Sequence, residues 1–178
     1  MTYTTRIEAF AATLLACVGL LFAPVSIAGD KVIAARYAGV GYYTSVDTNG
    51  DGLNVGITIA DWQGTFGQAQ LAITTEWFVF PRACRDGYDV PLALVNSAAL
   101  ATFADQSQLF AFSRNGWLCL SSSTGAYYGE VYGIYNGGTG RFMDATGSYT
   151  TKFEGQSLDP TIGFRSIRAT IEGSLTKP

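Results

Sequence analysis

The sequence predicts one all-β domain, an antiparallel barrel of about eight strands, closed or nearly closed, behind an N-terminal signal helix. Three observations carry that expectation. Helical periodicity is nearly absent after residue 29, where Val, Ile, Thr, Tyr, Phe and Trp recur in short runs. Clusters of Gly, Asn, Asp and Ser divide those runs at regular spacing. Regular turn spacing fits a sandwich or a barrel; the succession of hairpins favours the up-and-down barrel, whose closure removes aggregation-prone edges.

Residues 1–28 read as a secretory signal. Arg6 and the free amine precede a mostly apolar run from Ala9 to Ala23, Pro24 breaks it, and Ser26-Ile27-Ala28 offers small residues for cleavage. Cleavage after Ala28 leaves residues 29–178 as one domain of about 150 residues. A retained anchor fits less well, because a span needs roughly 20 apolar residues. Leu14-Leu15-Ala16-Cys17 superficially resembles a lipobox, but the apolar core continues through Val18 to Ala23.

The strands follow in order. Val32 to Ser45 is rich in Val, Tyr and Gly, and Asp47-Thr48-Asn49-Gly50-Asp51-Gly52 is a turn of residues that bond their own backbone or tolerate positive φ. Leu53 to Ala60 forms a short strand. Gly67 to Phe80 alternates best: Leu71, Ile73, Thr75, Trp77 and Val79 share one face, and Ala72, Thr74, Glu76, Phe78 and Phe80 the other. Pro81 to Tyr88 is a loop. Leu92 to Leu100 suits a strand or a short helical turn. Ala101 to Phe103 and Gln108 to Ser113 flank a turn, and Asn115-Gly116 is a hairpin signal leading to Trp117 to Ser121. Ala126 to Asn136, Gly147 to Glu154 and Phe164 to Leu175 complete the set.

Cys84 and Cys119 remain after removal of the signal, 35 residues apart. In an exported chain an even pair suggests a disulfide, worth on the order of 4 kcal/mol by loop closure; two buried free thiols are the alternative. The chain has no histidine, which excludes Ser-His-Asp and Cys-His catalysis, histidine metal sites and a histidine pH switch. Its net charge is −3 and its Lys and Arg residues are scattered, so a nucleic-acid surface is not expected. No amphipathic basic helix or mature membrane span is expected either.

Gly137-Gly138-Thr139-Gly140-Arg141-Phe142 followed by Ala145-Thr146-Gly147 is the most distinctive segment. A phosphate-loop reading fails, because Met143 stands where a third glycine belongs and no βαβ unit surrounds it. A strand connection that needs positive φ and close strand approach explains Gly137, Gly138, Gly140, Phe142 and Gly147 better. The segment resembles the signature of allene oxide cyclase-like and dirigent-like barrels, within the calycin-type architecture. The layout also resembles a group of uncharacterised exported bacterial proteins: an early Asp-x-Asn-Gly-Asp-Gly turn, a Gly-Thr-Phe-Gly strand at Gly64 to Gly67, Glu76-Trp77, two cysteines and the glycine segment. The resemblance implies the barrel. The plant relatives comprise an isomerase and a protein that guides radical coupling without an oxidative centre of its own, and no complete catalytic set of either maps onto this chain.

Two weak constellations remain. Asp47, Asn49 and Asp51, with Gly52, match the start of a calcium loop, but Thr58 replaces the closing glutamate; a self-bonded turn competes with a weak calcium site, to which Asp61 is a further candidate ligand. Glu76, Glu130 and Arg36 lie mid-strand among aromatic neighbours, with Glu130 on the face of Tyr128, Tyr132 and Ile134. Pointing inward, they would be an acid/base cluster; pointing outward, or paired with one another, they would be structural. The many aromatics either fill the barrel or line a pocket. The preferred functional expectation is an exported, non-enzymatic module that binds a small hydrophobic molecule and needs no cofactor. A cofactor-free isomerase or cyclase and a structural envelope or matrix protein are the alternatives.

Overall fold

The computed structural model describes residues 29–44, 47, 53–159, 161 and 163–176. Residues 1–28, read from the sequence as a secretory signal, lie outside them. Eight strands form: β1 (Asp30–Tyr43), β2 (Gly56–Gly64), β3 (Gly67–Val79), β4 (Val90–Phe103), β5 (Gln108–Leu120), β6 (Ala126–Gly138), β7 (Thr146–Asp159) and β8 (Phe164–Thr176). Each pairs antiparallel with its chain neighbour, and β1 closes on β8 from Asp30 opposite Thr176 to Gly41 opposite Arg165. The result is a closed up-and-down barrel. Among the described residues, no helix is long and apolar enough to cross a membrane.

Alternation puts one row of each strand inside. On β8 the inward row is Arg165, Ile167, Ala169, Ile171, Gly173 and Leu175, while Arg168, Thr170 and Glu172 are exposed. On β3 the inward row holds through Trp77, and Val79 is exposed. A register shift between Glu76 and Trp77 leaves Val95 of β4 without a β3 partner. This bulge moves the inward parity of β4 from Leu94 to Ser97, both buried.

Three local expectations change. Asn115-Gly116 is no hairpin: β5 runs straight through it, and the register against β6 shifts between Phe112 and Asn115. The Ser113 hydroxyl accepts the Asn115 N–H at 3.2 Å, and that side-chain bond replaces ladder pairing at the bulge. Gly64 to Gly67 is the β2–β3 turn, not a strand, with Gly67 at φ +95°. Thr65 fastens it to β1, donating its N–H to the Ala34 carbonyl at 3.0 Å and accepting the Ala34 N–H at 2.9 Å. Leu92 to Leu100 is strand and merges with Ala101 to Phe103 in β4. Its Ala-rich inward row leaves room for rings from the facing strands.

One end of the barrel is plugged. The β6–β7 connection folds into a 3₁₀ turn at Gly140–Phe142 and drops the Phe142 ring into the barrel. Phe142 packs edge-on against Phe66 at 5.4 Å between centroids and tilted against Phe103 at 4.9 Å. Ile33, Leu109, Ala145 and Leu175 complete this dry end. Arg141 straps the turn from outside, donating to the Phe66 carbonyl at 3.0 Å and pairing with Asp105 at 3.3 Å.

The disulfide links Cys84 to Cys119 with Cα atoms 5.9 Å apart. It pins the β3–β4 loop onto the outer face of β5 and β6. A ladder of cations and rings reinforces it: Arg82 lies 3.9 Å over Trp117, and Arg85 lies 4.0 Å over Tyr128 and 4.6 Å over Tyr88.

Candidate ligand site inside the barrel

The inward rows almost fill the barrel. A cavity of about 90 Å³ remains between them. That is well below the roughly 300 Å³ of an ordinary ligand pocket, so the interior suits waters or a molecule of a few heavy atoms. A larger depression of about 1410 Å³ lies on the outer surface, where its lining is mainly exposed, outward-facing side chains of both charges.

The cavity wall is aromatic with polar points. Trp62 and Tyr37 face each other across β2 and β1, while Tyr127, Tyr135 and Tyr149 come from β6 and β7. Burial raises the pKa of all four tyrosines, Tyr127 and Tyr149 to about 12, so they line the cavity as neutral phenols. The Tyr127 hydroxyl donates to the Ser166 carbonyl at 2.6 Å. Trp62 Nε1 and the Tyr135 hydroxyl are buried with no hydrogen-bond partner among the described residues. Both side chains are only 4 % exposed.

At the end away from the Phe142 plug, Arg165 enters the lining from the first turn of the inward β8 row. Its guanidinium lies 3.8 Å over the Tyr43 ring and 6.0 Å from that of Tyr127. Gly56 supplies the bed: a Cβ there would stand 2.7 Å from a terminal guanidinium nitrogen. Arg165 escaped the sequence reading, although its inward β8 row already signals it as a charge among Ile167, Ala169, Ile171 and Leu175. Tyr135 and Tyr149 escaped for a related reason, since Tyr is as common outside a sheet as inside.

The carboxylates singled out in the sequence do not converge in this cavity. Glu76 is 3 % exposed and sits beside the β3–β4 bulge, where the Asn96 amide donates to it. It is not among the residues lining the cavity. Glu130 points outward from β6 between its cross-strand neighbours Trp117 and Lys152. A side-chain hydrogen bond with Glu130 raises the pKa of Tyr132. Arg36 is exposed on β1 and donates to Gln63 at 2.9 Å. An inward acid/base cluster of Glu76, Glu130 and Arg36 is therefore absent among the described residues. Alternation carries Glu130 and Arg36 outside once Tyr37 and Val131 take the inward rows.

Of the calcium candidates, Asn49 and Asp51 lie outside the described residues; Asp47 and Asp61 are within them, both exposed, with Asp61 on β2. Among the described residues no three His, Cys, Asp or Glu side chains come together to hold a metal. The glycine segment sits at the plug. Gly137 at φ +78° and Gly140 at φ +56° make the reversal, Gly138 ends β6, and Gly147 lies in β7 opposite Leu175.

No protein-family model matches the chain. No curated protein matches it either. Among solved structures, the barrel is similar to the pterocarpan synthase dirigent protein GePTS1. The two share 16 % identity over 84 % of this chain and 87 % of that one, with a TM-score of 0.42.

Proposed function

We propose that the protein is an exported binding module that holds a small organic molecule inside its barrel, without turning it over. One observation carries the reading: two buried donors, Trp62 Nε1 and the Tyr135 hydroxyl, line one cavity and have no partner among the described residues. A buried donor without an acceptor costs about 1–3 kcal/mol, so such a wall favours an occupant with an acceptor atom. The small cavity narrows the sequence expectation of a hydrophobic ligand to one with a compact body and at least one acceptor. Export is supported by the leader pattern of residues 1–28 and by the disulfide, which an oxidising compartment maintains. The isomerase alternative lacks convergent carboxylates in the cavity, which favours binding over chemistry.

The test is a crystal structure of the protein as purified, paired with mass spectrometry of an organic extract. A small molecule accepting from Trp62 Nε1 or Tyr135 is expected, with W62F and Y135F each retaining less of it. Ordered water alone on both donors, with nothing extracted, overturns the reading.

A specific observation also favours the structural alternative. Outward residues Val40, Ile59, Ala72, Leu100 and Phe110 are successive cross-strand neighbours from β1 to β5, and Phe112 pairs with Ile134 beside them. Val40, Ile59, Phe112 and Ile134 are each exposed by more than two-fifths. A self-associating protein would cover this apolar face. Sedimentation should then show an oligomer that I59K or I134K dissociates; a monomer at all concentrations ends this alternative.

A further inference from the structure

We infer that the interior site takes a small organic anion, a carboxylate on a compact apolar body of a few heavy atoms, with Arg165 holding the carboxylate. The inference rests on the interior being a binding site and adds the class of ligand. Arg165 is the one ionised side chain among the residues lining the cavity. None of the described carboxylates pairs with it, whereas Arg141 pairs with Asp105 and Arg168 with Glu154. Arg36 has Gln63, and Arg82 and Arg85 stack on the outer face.

A half-buried cation in an inward row is costly unless something answers it. The surroundings orient the guanidinium without neutralising it. Tyr43 supplies a stacking face, and Gly41 and Gly56 leave the space in which it lies. Its planar fork therefore remains available, and a carboxylate is the group that accepts two parallel N–H bonds from it. Trp77, Tyr127 and Ile167 also line the cavity, which suits an apolar body. A cavity of about 90 Å³ limits that body to a few heavy atoms, since benzene occupies an engineered cavity of about 150 Å³.

The test is calorimetric titration with acetate and with acetamide, its neutral isostere, on the wild-type protein, R165Q and R165K. Wild type should bind acetate at least about tenfold more tightly than acetamide, the scale of charge-assisted hydrogen bonds. R165Q should bind acetate no more tightly than acetamide. R165K should keep part of the preference, since the charge remains but the fork does not. An acetate preference that survives in R165Q overturns the assignment. Equal binding of both probes by wild type also overturns it and leaves the interior-binding reading standing. Failure of wild type to bind either probe overturns this inference, while the interior-binding reading is decided by its own crystallographic and extraction test. The wild-type comparison needs no variant, so a poorly folding R165Q does not blunt it.

Discussion

The ring of Tyr149 on β7 lies directly over Gly133 on β6. A Cβ at Gly133 would stand 2.3 Å from Tyr149 Cζ and 2.4 Å from its hydroxyl oxygen. Two more cross-strand pairs on the same two strands repeat the arrangement, Tyr127 over Gly155 and Phe153 over Gly129. The missing side chains give the rings somewhere to lie flat, and so an aromatic interior fits inside eight strands. G133A is expected to destabilise the fold by about 1–3 kcal/mol through overpacking. Chemical denaturation measures this, and an unchanged midpoint contradicts the packing described. Combining G133A with Y149L should recover only part of the loss, because the Phe112 carbonyl also lies 2.6 Å from the added carbon.

Phe142 seals the plugged end and is 1 % exposed. F142A should cost about 3–5 kcal/mol, as a large buried ring is lost and the end opens. Thermal unfolding should show a lower transition, and the hydrophobic dye ANS should bind the variant but not the wild type. R141A removes only the outer strap and should cost less, because its ion pair with Asp105 is substantially exposed.

Reduction of Cys84–Cys119 should lower stability by up to about 4 kcal/mol, and C84S/C119S should match it. The barrel itself should survive, since the bond joins a loop to a strand that is already paired on both sides. Far-ultraviolet circular dichroism should be unchanged. In the reduced protein, hydrogen exchange should rise in residues 80–89 more than in β5. Adding R85A should release the loop further, because Arg85 also bonds the Tyr88 hydroxyl at 3.0 Å and stacks on Tyr128.

Alkaline pH should unfold the protein before it ionises the interior. Burial raises Tyr127 and Tyr149 from 10.0 to about 12 and shifts Tyr37 and Tyr135 upward as well. Above pH 10 the unfolded chain loses phenolic protons that the folded chain keeps, so stability falls as pH rises through this window. It is fully present below pH 10. The denaturation midpoint should drop steadily from pH 10 to 12, and Y149F should flatten the slope. A flat midpoint in wild type contradicts burial of these phenols.

The β8 row shows how much was legible. Its alternation reads directly from Phe164 to Leu175 and marks the apolar row as inward, yet a lone charge at the start of a strand fits a solvated end as well as an inward place. The same ambiguity covers Glu130 and Arg36, whose rows face outward. Asn115-Gly116 misled for a different reason. The dipeptide tolerates the backbone of a hairpin, but it serves equally at a bulge, and the partner strand β6 decides which. The candidate site was less legible than the fold, because Trp62, Tyr135 and Arg165 come from three separated strands.

By itself the sequence determined the strand content, Cys84 and Cys119 as candidates for a disulfide, the exclusion of histidine chemistry and the glycine segment between two strands. These follow from local backbone preference and composition, which need no partner. Only the tertiary structure decided that the sheet closes β1 onto β8, that Phe142 plugs one end, and that Arg165 lies inside unanswered by a carboxylate among the described residues. Those depend on register around the barrel and on how much volume facing rows leave, and both are set by residues far apart in the chain.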